Sequence, residues 1–301
     1  MFWFPISIIS YFLNSVALLM DKFLLEKKIP NPAIYTLAIC LLGVISLALL
    51  PFGWQQPGAG ELFWALAAGM VFTPALYFMF LALKNGESSR VVPFLGGLQP
   101  IIILPLAWYF LGEVFSPAFY VALFLFCAGT ILISYEQGQA KKIAYAYGII
   151  AAVLFAASLV MSKWVYYQMD TFITPFVLTR LGSALAALPL IFLPGVIWLK
   201  TKKNPPAGRK KSKQPWLLLI IGQSCGALAS VGVNWAIAIS HNATTIINAM
   251  QGLQYVFLFV AVLILTKFFP KILKENMRPA VLVQKALATG LIILGLVLVA
   301  F

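Results

Sequence analysis

The chain has 301 residues, 62% of them hydrophobic and only 10% charged, where a soluble domain carries about 25% charged residues. A water-soluble fold of this length cannot hide so much apolar surface, so lipid is the expected medium around most of the chain. The net charge of +13 comes from basic residues in short connections between apolar runs, which reads as membrane orientation and not as nucleic-acid binding.

Apolar runs near the roughly 20 residues that a spanning helix needs predict ten helices. The first runs from Phe2 to Met20, the second from Pro32 to Phe52, the third from Leu62 to Leu83, the fourth from Val91 to Leu111 and the fifth from Pro117 to Tyr135. The sixth covers Ala144 to Tyr166, the seventh Ile173 to Leu199, the eighth Trp216 to Ser240, the ninth Ala243 to Lys267 and the tenth Ala280 to Phe301. Turns rich in Pro, Gly or Asn separate them, such as Gln55-Gln56-Pro57-Gly58. The first run has no basic leader and no clear small-residue cleavage site, and is expected to be retained. Trp3, Trp54, Trp64, Trp108, Trp164, Trp198 and Trp216 fall near segment ends, where an indole sits at the membrane interface, while Trp235 lies about a turn deeper.

Of the 21 Lys and Arg residues, all but Lys163 and Arg180 fall in or beside the connections 1–2, 3–4, 5–6, 7–8 and 9–10. The positive-inside rule puts those connections in the cytoplasm and both termini outside. The basic loop 200–215 could meet anionic lipid headgroups. Cys40, Cys127 and Cys225 lie in apolar runs without metal-ligand spacing and read as structural thiols. Neither a metal nor a cofactor is expected.

The two halves look alike. Met20-Asp21-Lys22-Phe23 resembles Met161-Ser162-Lys163-Trp164, Gly97-Leu98-Gln99 matches Gly252-Leu253-Gln254, and Gly129-Thr130-Ile131-Leu132 resembles Gly295-Leu296-Val297-Leu298, all in the same order. Five helices per half is an odd number, so the second half must be inverted, an arrangement that puts a transporter's substrate site near the midplane between repeats. Residues 1–138 form the first repeat and 143–301 the second. The run Gly86-Glu87-Ser88-Ser89-Arg90-Val91-Val92-Pro93, then Gln99-Pro100, Leu111-Gly112-Glu113 and Gly129-Thr130-Ile131-Leu132-Ile133, resembles the EamA family of the drug/metabolite transporter superfamily. The second half keeps Gly252-Leu253-Gln254-Tyr255 but has Leu265-Thr266-Lys267 where the Leu-Gly-Glu ending would stand. The resemblance implies ten helices in two inverted repeats and a metabolite-transport role. Many members of the family are drawn with cytoplasmic termini, whereas the charges here put the termini outside.

Every acidic residue lies at a segment end or in a connection, so the midplane carboxylate of small proton-coupled exporters and the Asp pair of an intramembrane protease are both missing. No His-Glu-x-x-His motif points to an enzyme, and Gly222-Gln223-Ser224-Cys225-Gly226, though it has the Gly-x-Ser-x-Gly spacing, falls within an apolar run and not on a strand-to-helix turn. His241 sits at a helix end, where a loop or capping role is the plain reading. Gln99 and Gln254 fall near the centres of their spans, and an amide in hydrocarbon needs partners. They either fix helix packing or face a central cavity. Pro93, Pro100 and Pro105 free backbone carbonyls in helix four, which makes a static kink or a bent gating helix. Asn248, Gln251 and Gln254, spaced by three, fall on one helix face. Arg180 is about two turns inside helix seven and either snorkels to the interface or anchors an anionic group. Asn14, Tyr11, Tyr77 and Asn234 are further polar or aromatic candidates, and Gly222 and Gly226 form a Gly-x-x-x-Gly packing pair.

The expected function is transport of a small polar metabolite, amino-acid-like or similar, by alternating access in the cell's plasma or inner membrane. The expected partners are a small-molecule substrate and membrane lipid, with no nucleic acid, and the chain is expected to act as a monomer or homodimer. The expected substrate-binding residues are Gln99, Gln254, Arg180, Asn14, Tyr77, Asn234 and Gln251. The alternative is a flippase of lipid or lipid-linked sugar.

Overall fold

A computed structural model of the protein describes residues 2–27, 31–85, 88–134, 142–193, 214–268 and 279–300. All regular structure among them is helical. Asn31 caps α2 (Pro32–Leu42) by accepting from the Ala33 amide at 3.0 Å, with Pro32 in the first turn, where its missing N–H costs nothing. Ahead of it stands α1 (Trp3–Lys27). From Gly43 the second span tightens into a 3₁₀ segment, Gly43–Phe52. Then come α3 (Ala59–Asn85), α4 (Ser88–Leu111), α5 (Pro117–Ser134) and α6 (Lys142–Gln168). The seventh predicted span is α7 (Ile173–Ala187) followed by a 3₁₀ turn, Leu188–Phe192. The eighth is α8 (Gln214–Ile239). The ninth is not one helix but two, α9 (Thr244–Ala249) and α10 (Gly252–Phe268), and α11 (Pro279–Ala300) is the last. The basic stretch 200–213, Trp198, Gly86-Glu87, and the side chains of Asp21, Lys22 and Trp216 lie outside the described residues.

Seven of these helical stretches are long and apolar enough to cross a membrane. Their outer faces carry large apolar side chains that water would not tolerate in such number: Ile45, Phe63, Trp108, Phe110, Phe124, Leu228, Val283 and Leu287 are each more than half exposed. Inside, hydroxyls turn back onto their own helices, as Ser10 does to the Ile6 carbonyl at 2.7 Å and Thr179 to Pro175 at 2.8 Å, so few buried polar groups reach lipid unpaired.

Small residues set the helix contacts. A Cβ on Gly69 of α3 would lie 2.6 Å from the Ser183 amide nitrogen, and one on Gly182 of α7 would lie 2.9 Å from the Leu66 carbonyl carbon, so α3 and α7 cross backbone against backbone. Gly222 and Gly226 play the packing role expected of them, seating α8 on Met20 and Ala17 of α1. α3 packs on α6 as α8 packs on α1, while α5 pairs with α11. α4 runs as one helix through Pro93, Pro100 and Pro105, between α5 and α6.

One end of the bundle is well defined. The Gly53 carbonyl accepts from the Thr171 hydroxyl at 2.8 Å, and the Gln55 amide donates to Thr174 at 2.9 Å, joining the connection before α3 to that before α7. At the same end the start of α1, the connections before α5 and α9, and the end of α11 enclose a cleft of about 660 Å³ lined by Trp3, Ala118, Phe119, His241, Asn242 and Leu298, among others.

Candidate functional site

Three polar clusters lie inside the bundle, and each is built from backbone or side chains that a helix leaves unpaired. The first surrounds Arg180 on α7. Its guanidinium donates to the Ser230 hydroxyl of α8 and stands 5.2 Å from the Phe72 ring and 5.0 Å from the Phe176 ring. Its alkyl stem lies against Gly43, where α2 tightens; a Cβ on that glycine would be 3.5 Å from the Arg180 Cδ. Asn234, one turn beyond Ser230, donates to the Ser230 carbonyl at 2.8 Å and accepts from the Tyr166 hydroxyl at 3.4 Å. Among the described residues no carboxylate pairs with Arg180. A guanidinium stays charged in proteins, so this is a fixed interior cation held by rings and a hydroxyl alone. Its guanidinium thus lies among side chains of α3, α7 and α8.

The second cluster forms where the ninth span is interrupted. Around Met250–Gln251 the backbone switches to i−3 bonds: Gln251 donates to Asn248 at 3.0 Å, Leu253 to Met250 at 2.9 Å and Gln254 to Gln251 at 3.1 Å. Gly252 follows the switch because Thr130 presses there; a Cβ would sit 2.6 Å from the Thr130 hydroxyl. The Ile247 carbonyl, which Gln251 would have occupied in an α-helix, accepts instead from the Tyr11 hydroxyl at 2.7 Å. The Asn14 amide donates to the Gln254 side chain at 2.6 Å, and Gln254 is fully buried. The Gln251 amide donates to the Tyr255 hydroxyl at 3.5 Å, and the Asn248 side-chain oxygen is buried without a hydrogen-bond partner. Across the interruption the amides meet different groups: Gln251 meets Tyr255, Gln254 meets Asn14, and the Asn248 oxygen meets no donor among the described residues.

The structure thus joins Asn14 to Gln254, and Arg180 to Asn234 through Ser230. Both groups border one buried core that holds Tyr11, Tyr166, Ala236 and Ile237. Gln99 is half-buried on α4 and joins neither cluster. Tyr77 is half-buried on α3 and packs edge-on against Phe78, with ring centroids 5.9 Å apart.

The third cluster was not singled out from sequence. Lys163 of α6 is completely buried, and its ammonium donates to the Ile237 carbonyl at 2.5 Å and to the Ser240 carbonyl. These carbonyls belong to the last turn of α8 and to the residue after it, where a helix lacks acceptors' partners and favours a cation. Lys163, like Arg180, is thus a charge inside a span. Glu113 lies nearby and is fully buried, its carboxyl beside Thr244 and Thr245 at the start of α9. It is placed by Gly112, whose φ of +65° turns the chain back so that the Glu113 amide donates to Ala107 at 3.2 Å. Burial pushes the Glu113 carboxyl above the ordinary glutamate range, while neighbouring Thr244, Thr245 and Lys163 favour its charged form more weakly. Two signals for this cluster were present: Lys163 is absent from the basic connections, and Glu113 ends the Leu-Gly-Glu motif. His241 lies in the exposed connection before α9, as a loop role requires.

No curated protein matches the sequence. Among solved structures, one crystal structure superposes over 99% of this chain and 96% of its own with a TM-score of 0.66, and at 18% identity it speaks for the fold alone. Residues 1–135 match the model of the EamA-like transporter family. The chain is a multi-pass, helical membrane protein, and its first 135 residues carry the signature of the EamA-like transporter family, within the drug/metabolite transporter superfamily.

Proposed function

We propose that the protein moves a small polar metabolite bearing an anionic group, such as a carboxylate, through the seam between two inverted five-helix halves by alternating access. The observation that carries this reading is Arg180, an interior cation with rings and a hydroxyl around it and no carboxylate partner among the described residues. An uncompensated charge in a membrane interior costs several kcal/mol, and a substrate anion would offset it through the bidentate geometry that guanidinium favours. Asn234, Asn14 and Gln254 supply amides close to the same core, where they would bind the polar remainder of the substrate. Gln251, Gln99 and Tyr77 stay in the proposal as lining residues of the route.

Exchange symmetry in the packing supports ten spans in two inverted repeats. α3 on α6 mirrors α8 on α1, α4 on α6 mirrors α10 on α1, and the pairs α5 with α11 and α2 with α7 join equivalent helices. The membrane is read as the plasma or inner membrane, and the working unit as a monomer or homodimer. A flippase remains the competing function, and it would place lipid at this site.

A thermal-shift screen of purified protein against a metabolite library tests the reading. Anionic polar compounds are expected to raise the melting temperature of the wild type and not of Arg180→Leu. Hits that are all neutral, cationic or lipid, or that stabilise the variant equally, would remove Arg180 from the site.

A further inference from the structure

Two departures from ordinary helix geometry coincide in the second span. Its last ten residues, Gly43–Phe52, wind as 3₁₀, where such runs ordinarily end after about three or four. Within them the Ser46 hydroxyl oxygen is buried and has no hydrogen-bond partner among the described residues. In the α-helical parts of the second and seventh spans hydroxyls do find one: Thr36 donates to the Pro32 carbonyl at 2.9 Å, and Thr179 to Pro175 at 2.8 Å, each four residues back. Wound as α-helix, the segment would bring the Leu42 carbonyl within the same reach of Ser46.

The segment is tied at both ends. Gly43, where the winding changes, lies against the alkyl stem of Arg180. At the other end the Gly53 carbonyl accepts from Thr171, and the Gln55 amide donates to Thr174, just ahead of and at the start of α7. Between those ties the segment packs on α7. A 3₁₀ helix rises about 2.0 Å per residue and an α-helix about 1.5 Å, so over ten residues the two windings differ in length by about 5 Å. A change of winding therefore moves the Gly53 end relative to Arg180. The seventh span repeats the order, α7 and then the 3₁₀ turn Leu188–Phe192, and α2 packs on that turn.

We propose that Gly43–Phe52 is a switch between 3₁₀ and α winding that ties the Arg180 site to the end of the bundle at Gly53 and Thr171. This rests on the transporter reading and gives it a moving part. In the 3₁₀ form seen here the segment is long, Gly43 touches Arg180, and Ser46 is unpaired. In the α form the segment is shorter, Ser46 donates to Leu42, and the Gly53 end is pulled from Thr171 towards Arg180. An anion that draws the guanidinium away from Ser230 moves the Arg180 stem on Gly43, where the two windings meet.

The test uses full-length protein in liposomes, with Cys40, Cys127 and Cys225 replaced by alanine. Spin labels are placed on Ile45→Cys and Phe52→Cys, both exposed. In an α-helix these labels share a face about 10 Å apart; in a 3₁₀ helix they stand about 14 Å apart and about a third of a turn round. Wild type is expected to show both spacings, the longer one predominating. Gly43→Ala, whose methyl has room beside Arg180 and favours α-helix, should raise the shorter population at least threefold. Ser46→Ala, which removes the unpaired hydroxyl, should lower it at least threefold. A second pair of labels, on Gln56→Cys and Asp170→Cys, should widen in step with the shorter population. A single spacing in the wild type overturns the switch, as does either variant that leaves the populations unmoved or moves them the other way. A switching segment with an unchanged 56–170 separation overturns the tie to the end of the bundle. No metabolite is needed, so the switch can fail while transport through Arg180 stands. A working switch without metabolite flux would support the device and count against the transport reading instead.

Discussion

Arg180 and Gly182 sit two residues apart on α7 and show how one turn serves function and packing together. Gly182 lets α7 approach α3 until backbone touches backbone, and that approach brings Phe72 of α3 over the Arg180 guanidinium. Gly182→Leu should cost about 1–3 kcal/mol or more, as overpacking does. It should lower the thermal midpoint in detergent and reduce metabolite binding with it. Unchanged stability would mean that α3 and α7 are not in backbone contact. Arg180 itself was legible in the sequence as a charge within an apolar run. Its lack of a carboxylate partner was not, because Phe72, Phe176 and Ser230 come from three different helices. Lys163 was legible only as an exception to the charge pattern: its partners are backbone carbonyls, and these carry no residue signature.

The interrupted ninth span is the element where sequence and structure part. Its hydropathy is continuous, and spacing alone made it one helix with Asn248, Gln251 and Gln254 in line. Gly252, pressed by Thr130 of α5, and the i−3 bonds around it break the ladder, and the freed Ile247 carbonyl is taken by Tyr11. Short 3₁₀ stretches inside helices often mark hinges. α4 runs unbroken through its three prolines, and the break in the helical ladder lies in the ninth span. Asn14 holds α10 to α1 through Gln254. A double-mutant cycle on Asn14→Leu and Gln254→Leu, read by unfolding in detergent, should return a coupling of about 0.6 kcal/mol and at most about 2, as interhelical hydrogen bonds in membranes do. A coupling of zero would mean that the two amides pair independently.

At the scale of the whole molecule, composition and hydropathy were enough for a helical, multi-pass membrane protein, because a surface this apolar leaves few alternatives. Span order followed from the same signal, and the Gly-Leu-Gln match pointed to two related halves. The clusters were hidden since they assemble from different helices: Asn14 of α1 with Gln254 of α10, Glu113 beyond α4 with Thr244 of α9, Arg180 of α7 with Ser230 of α8. Sequence periodicity reports which face of a helix is polar but not which helix it meets. The proposed anion route runs through these clusters, and flux tests it most directly. Purified protein in liposomes, loaded with the anionic compound that best stabilises it, should exchange that compound with saturable kinetics. Arg180→Leu should lower exchange at least tenfold while the variant remains folded by thermal melt and gel filtration. Wild-type exchange no faster than in empty liposomes, or equal exchange by wild type and variant, would contradict an anion route through Arg180.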